Sequence, residues 1–313
     1  MKILVTGGAG FIGSHIVDRL ILLGHDVIIA DNLSSGRREN INRQAVFFNL
    51  DITSPELKKI FQKNKISHVI HHAARIDVQL SLDNPVDDAR NNILGSLNLL
   101  ECCRQYGVEK FVYASSAAVY GEPDYLPVDE EHPLRAMSPY GISKHVPEHY
   151  VRMYGSQYNL KYTILRYSNV YGPRQGATGE GGVISIFINR MLNGKRPYIY
   201  GDGEQTRDFI FVEDVVSANV EALSRGNKQL MNISSNNQFS INELYTFLRR
   251  IISGKPEACY RPQRDGDIEN SRLDNSRARK ILDWEPEYDL YQGLRETVKY
   301  YTEKSSKRNR QRS

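Results

Sequence analysis

The period of the hydrophobic pattern switches repeatedly along the first half of the chain. Short apolar runs with little alternation, at Lys2–Thr6, Asp26–Ala30, Ala45–Leu50, His68–His72 and Lys110–Ala114, read as buried parallel strands. Between them apolar residues recur at helical spacing after Gly13, over Pro55–Lys63, and over Pro85–Tyr106, where Ile93, Leu97 and Leu100 share a face. No short repeat or low-complexity linker interrupts the alternation, which predicts an α/β fold built on a doubly wound parallel sheet. Past Gly172 the pattern predicts helices over Val183–Leu192, Val212–Leu223, Ser240–Ile252, Arg272–Trp284 and Leu290–Thr302, a short strand at Pro197–Tyr200, and a last strand, Leu230–Ile233, returning to the sheet. Residues 1–170 are expected to form the sheet domain, with 212–235 returning to it. Residues 171–303 would form a smaller α/β domain, and 304–313 a basic, disordered tail.

The first strand runs directly into Gly7, Gly10 and Gly13, three residues apart. Gly7 suits a tight turn, Gly10 lets backbone approach a phosphate, and Gly13 lets helix and strand pack closely. A pyrophosphate would lie over the amino end of a helix starting near Phe11 and Ile12. Asp31, ending the second strand, can accept both hydroxyls of an adenosine ribose and repels a 2′-phosphate, so the expected dinucleotide is NAD. Its neighbour Asn32, then Asp51 and Ile52 for the adenine, Ala73 and Ala74 for close backbone approach, and Asn92 complete the candidate cofactor residues. Ligands of such sheets bind beyond the carboxyl ends of the strands, where Thr6, Asp31, Asp51, Ala73 and Ser116 all fall. His71 and His72 are adjacent on a strand and point to opposite faces, which argues against a shared metal.

Ser138-Pro139 starts a helix that places Tyr140 and Lys144 one turn apart on one face. A nearby ammonium and a positive nicotinamide ring favour phenolate, which would make Tyr140 a base near neutral pH, with Ser116 giving the same substrate hydroxyl a second hydrogen bond. Pro147, inside that helix, removes a donor and is expected to kink it.

Composition changes this picture little. The 313 residues carry a formal charge of +4, with basic residues concentrated after Lys304, which reads as a solvated end and not a nucleic-acid arm. The three cysteines, Cys102, Cys103 and Cys259, form no metal or disulfide framework, which suits free thiols in a reducing compartment. No apolar run reaches membrane-spanning length and no leader pattern precedes the first strand, so the expected location is the cytoplasm.

The segments TGGAGFIGS, DNLSSG, HHAA, SSAAVYGE, SPYGISK, RYSNVYGPRQ, GDGEQTRDFIFVEDV and RDGD follow one another as in the extended short-chain dehydrogenases. The chain, from Met1 to about Tyr300, resembles their NAD-dependent sugar-nucleotide epimerases, closest to the UDP-glucose 4-epimerases. The resemblance implies a Rossmann-type sheet, retained NAD and 4-epimerisation of a UDP-hexose through a transient 4-keto sugar. Tyr140 would be the base, Lys144 its ribose-binding partner and Ser116 the hydroxyl sharing the substrate proton, with Asn169 on the nucleotide-sugar and Arg207 and Arg264 on the diphosphate. Ala117-Ala118 stands where dehydratases carry an acidic pair, which disfavours dehydration. Ser271 matches the position gating the hexose pocket, where a tyrosine would crowd a 2-acetamido group, so UDP-GlcNAc and UDP-GalNAc are expected alongside UDP-Glc and UDP-Gal. A homodimer through the two long helices is implied as well, with Tyr150, Val151 and Tyr154 as contacts unless they serve an internal core. A UDP-glucuronate 4-epimerase or decarboxylase, and a protein that senses NAD without turnover, are the alternatives.

Overall fold

The chain is described by a computed structural model over residues 1–176, 182–252, 256–263 and 268–310. In chain order, β1 (Lys2–Thr6), α1 (Phe11–Leu22), β2 (Asp26–Asp31), β3 (Val46–Asn49), α2 (Leu57–Lys63) and β4 (His68–His71) form the first half of the sheet and its helices. Then come α3 (Val78–Asp83), α4 (Pro85–Ala89), α5 (Gly95–Gln105), β5 (Lys110–Ser116), α6 (Pro139–Gln157) and β6 (Lys161–Tyr167). The third stretch holds β7 (Asn169–Tyr171), α7 (Val183–Leu192), β8 (Tyr198–Tyr200), β9 (Thr206–Arg207), β10 (Phe209–Phe211), α8 (Val212–Glu221) and β11 (Gln229–Ile233). Last are β12 (Phe239–Ser240), α9 (Ile241–Ile251), β13 (Cys259–Arg261), α10 (Ser276–Ala278) and α11 (Leu290–Arg310).

Seven strands make one sheet in the order β3-β2-β1-β4-β5-β6-β11, parallel throughout. Its strands are apolar on both sides because both faces are covered. Ile3, Val5, Ile16, Val17 and Leu20 pack with Val212, Val215 and Val216 of α8 on one face. Leu4, Val69, Phe111 and Ile164 pack with Leu99, Leu100 and Val151 on the other. The returning strand and α8 were thus both foreseen, and the expected sheet is the one found. The smaller region rests on two-stranded pairings, β10 with β7, β12 with β9 and β13 with β8, and on α9, whose Ser240 and Glu243 form a reciprocal capping box.

Three expectations change, and one open alternative is settled. The helical run from Pro85 is interrupted by a π turn over Arg90–Leu94, which swings Asn92 into the interior. The helix expected from Arg272 shrinks to α10 and a π turn over Arg279–Asp283, because Leu273 bridges Val128 and the Leu273 N–H donates to Asp208 at 3.1 Å, holding that stretch extended. The tail expected to be disordered continues α11 as far as Arg310, and Lys304 pairs with Glu39 at 2.6 Å; residues 311–313 lie outside the described residues. Val151 and Tyr154 are buried within the subunit, so the internal core claims them. The helix α6 continues through Pro147. Among the described residues no helix is long and apolar enough to cross a membrane.

Candidate active site

The turn between β1 and α1 is held by backbone. Gly7 has φ +70°, its N–H donates to the Ala30 carbonyl at 2.9 Å, and its own carbonyl accepts from Gly10 at 3.0 Å. A Cβ on Gly7 would stand 2.7 Å from the Ala73 nitrogen, and one on Gly13 would run into the Gly7 carbonyl. The turn is therefore closed by approaches that only glycine permits. Gly10 caps α1 without a side chain, leaving the first N–H groups of the helix open to an anion. Gly10, Phe11 and Ile12 line one side of the groove above the strand ends; Asn32, Ile52 and Ala74 line the other.

Two carboxylates shape the far end of this groove. Asp31 accepts from Ala9 N–H at 3.0 Å and Leu33 N–H at 2.8 Å. Burial raises its pKa and these two bonds oppose the rise. Asp51 accepts from Asn32 Nδ2 at 2.7 Å and from Thr53; burial works to raise it, and these bonds hold it below the usual carboxylate value. The cradle, the open helix end and the two carboxylates fit a dinucleotide. Asn92, like Tyr140 and Lys144, does not line the groove. Its amide oxygen accepts from Arg75 N–H at 2.7 Å and its Nδ2 donates to the Arg75 carbonyl, Asp88 and Ser143, so it anchors a loop, while Asn91 lines the groove. Its polarity marked it, but the π turn that reverses the two asparagines has no signature in the pattern.

Ser116 ends β5, and its Oγ accepts from Ala118 N–H at 3.2 Å, which leaves its proton free to donate. Ser138 caps α6 by accepting from Gly141 N–H at 3.1 Å, with Pro139 in the first turn, as expected. Gly141 is what brings the two elements together: a Cβ there would sit 2.5 Å from the Ala118 carbonyl. The Tyr140 phenol consequently faces the Ser116 hydroxyl. Burial pushes the Tyr140 phenol above its ordinary value and the Ser116 bond opposes this, so the expected depression does not come from the protein's own groups. The Lys144 ammonium lies 4.8 Å from the Tyr113 ring centroid and is pushed down to about 8 by burial, against the opposing fields of Glu148 and Asp88. His71 bonds Thr6 and Ser96, while His72 bonds Asn219 on the other face of the sheet, the opposed pair the strand geometry required.

A second cavity of about 350 Å³ opens beyond β7 and β9. Asn169 and Arg207 line it, together with Tyr198, Tyr200, Gln175 and Gln205, which the sequence did not single out. Asn169 is held by its backbone and side-chain N–H groups on the Asp208 carbonyl, at 2.9 and 3.3 Å. Arg190 and Arg261 lie 4.0 and 4.3 Å from the Tyr198 ring centroid. Arg264 falls outside the described residues. Ser271 lines neither the cavity nor the groove, sitting between Asn270, whose Oδ1 accepts from Thr206 at 2.8 Å, and Arg272, which bonds Asn236.

Residues 3–234 match the family model of the NAD-dependent epimerase/dehydratase family. The chain belongs to that family. Three solved structures agree with the family over nearly the whole chain. A UDP-glucose 4-epimerase of Thermotoga maritima with UDP-glucose is 45% identical, with a TM-score of 0.96 over 97% of this chain and 100% of that one. A Thermus thermophilus UDP-glucose 4-epimerase in complex with NAD is 41% identical, with a TM-score of 0.92, covering 96% of this chain and 99% of that one. A UDP-N-acetylglucosamine 4-epimerase of Methanobrevibacter ruminantium in complex with UDP-N-acetylmuramic acid is 37% identical, with a TM-score of 0.93 over 97% and 98%. For this epimerase/dehydratase family member NAD is the cofactor, and a Rossmann-type sheet with a smaller region beside it is the frame.

Proposed function

We propose that this chain interconverts the C4 epimers of UDP-hexoses, and that the observation carrying this reading is the Tyr140–Ser116 contact with Lys144 one turn behind it. NAD, when bound, would supply the hydride acceptor for C4. The phenol of Tyr140 takes the O4 proton and gives it back, Ser116 donates to the same oxygen, and Lys144 would hold the cofactor ribose. Because burial alone raises the phenol, the base becomes usable when a positive charge joins the site. Asp31 and the glycine turn would hold the adenosine and pyrophosphate. Asn169, Arg207 and Arg264 would hold the UDP, leaving the hexose loosely enough bound to present either face.

We infer UDP-GlcNAc and UDP-GalNAc as further substrates from the serine at the position that the resemblance gives to the hexose gate, although Ser271 lines neither the cavity nor the groove. Ala117-Ala118, packed into the turn after Ser116, supplies no acid for dehydration. We further infer a cytoplasmic homodimer, in which the exposed Leu94, Ile142 and Met153 of the π turn and α6 meet their copies.

The test is NMR of each UDP-sugar with purified protein. Epimer should form from UDP-Glc, UDP-Gal and the acetylated pair, and Tyr140→Phe should lower kcat by about 10³. Product of lower mass from UDP-glucuronate, with no epimer from any hexose, would make the chain a decarboxylase instead.

A further inference from the structure

Away from the groove and the cavity, two metal-ligating side chains meet on the outer side of α6. His145 and His149 are four residues apart on the helix, and their Nε2 atoms lie 2.9 Å apart with the ring planes at 80°. Lys144 and Glu148 are buried on the inner side of the same turns, whereas the His149 ring is exposed. Two ring nitrogens bound at about 2.05 Å to one cation stand about 2.9 Å apart when they meet it at a right angle, and about 3.3 Å apart at a tetrahedral angle. The spacing found is that of neighbouring corners of a tetragonal site.

The inner end of His145 is set as that of a metal ligand is. Its Nδ1 faces Glu148 Oε2 at 3.5 Å, so the Nδ1 proton is directed at a carboxylate and the Nε2 lone pair is left facing outward. His145-Val146-Pro147-Glu148-His149 has the H-x-x-E-H spacing by which some zinc hydrolases place two imidazoles on a metal with a glutamate beside them. Here that glutamate is taken. Arg166 grips it through a fork at 2.9 and 2.6 Å, and Ser115 donates to it at 2.6 Å, so it can orient a ligand but cannot serve as a base for hydrolysis. Among the described residues no three or more His, Cys, Asp or Glu gather to hold a metal, so water would complete the coordination. Arg152, on the next turn, opposes a cation, but it is exposed and solvent screens it.

We propose that His145 and His149 form a binding site for a divalent first-row cation that favours tetragonal nitrogen ligands, Cu²⁺ or Ni²⁺. Without the cation, the His149 Nε2–H donates to the His145 lone pair. On binding, His149 passes to its Nδ1–H tautomer and the cation takes the place of that proton between the two nitrogens, with no net proton release. The site binds and does not catalyse.

The test titrates the untagged, NAD-loaded protein with Cu²⁺ and reads the bound ion by electron paramagnetic resonance. The first equivalent should show splitting from two nitrogens. His145→Ala and His149→Ala should each reduce this to one nitrogen and weaken the first equivalent by at least about tenfold. Ni²⁺ should displace the bound Cu²⁺ at lower concentration than Zn²⁺ does. His25→Ala, which removes a ring 3.5 Å from the Met1 amine, should change neither the splitting nor the affinity. Should His145→Ala not fold, His149→Ala decides, because its ring is at the surface. Equal affinity and an unchanged spectrum in His149→Ala overturn the proposal, and so does a first equivalent that His25→Ala removes. Displacement by Zn²⁺ ahead of Ni²⁺ overturns the tetragonal assignment. None of these readings depends on a sugar being turned over.

Discussion

The groove above β1 and β2 and the cavity beyond β7 and β9 are built from different materials. The groove is backbone: glycine approaches, an open helix end, and carboxylates fixed by N–H donors. The cavity is side chains, Asn169, Tyr198, Gln205 and Arg207, gathered from three separate segments of the chain. A site made of backbone fails when the fold fails. A site made of side chains can lose affinity while the fold survives.

The largest effect should come from beneath the groove half. Glu148 and Arg166, each 2% exposed at the side chain, form an ion pair whose members neighbour β5 and α6. Glu148→Gln leaves a buried guanidinium without its partner and should cost about 4 kcal/mol in chemical denaturation. Burial works to raise the Glu148 carboxyl, but the Arg166 fork and the bonds from His145 and Ser115 outweigh it and bring it down to about 2, against 4.5 for an ordinary glutamate. The ionised form therefore stabilises the fold above about pH 4.5, and that stability is lost as pH falls from there towards 2. Glu148→Gln should flatten stability against pH in that window, and an unchanged slope would remove Glu148 as its source.

Next in size is Gly13→Ala. The added methyl has nowhere to go but the Gly7 carbonyl, so α1 must move off β1, at about 3 kcal/mol, and retained NAD should be lost from purified protein. If the variant kept wild-type stability and NAD, the turn would be more yielding than its contacts imply.

This difference also explains what was legible in the sequence. Glycine spacing, the strand before it and Asp31 reflect local geometry, so the groove could be read residue by residue, and the Ser138 cap fixed the spacing of Tyr140 and Lys144 for the same reason. Tyr198 and Gln205 carry no local signature, since what places them is the pairing of β8 with β13 and of β9 with β12, between segments remote in the chain. Even within the groove half the reading failed where long-range contacts overrode local preference, as at the π turn that buries Asn92 and at the bridge from Leu273 to Val128.

The smallest effect belongs to the cavity. Arg207 sits on the two-residue strand β9, where its Nη1 donates to the Thr206 carbonyl at 2.8 Å and its side chain is half-buried at the wall. Arg207→Leu keeps the bulk of the stem and removes the fork, so β9 should still pair with β12 and thermal unfolding should shift by no more than a surface substitution does. A charge-assisted contact to a diphosphate is worth about 2 kcal/mol, which predicts KM for a UDP-hexose raised roughly thirtyfold, with kcat changed much less because the diphosphate is held equally before and during hydride transfer. A fall in kcat at unchanged KM would place Arg207 at the reacting carbon rather than at the phosphates. A loss of stability as large as that of Gly13→Ala would erase the distinction between the two halves.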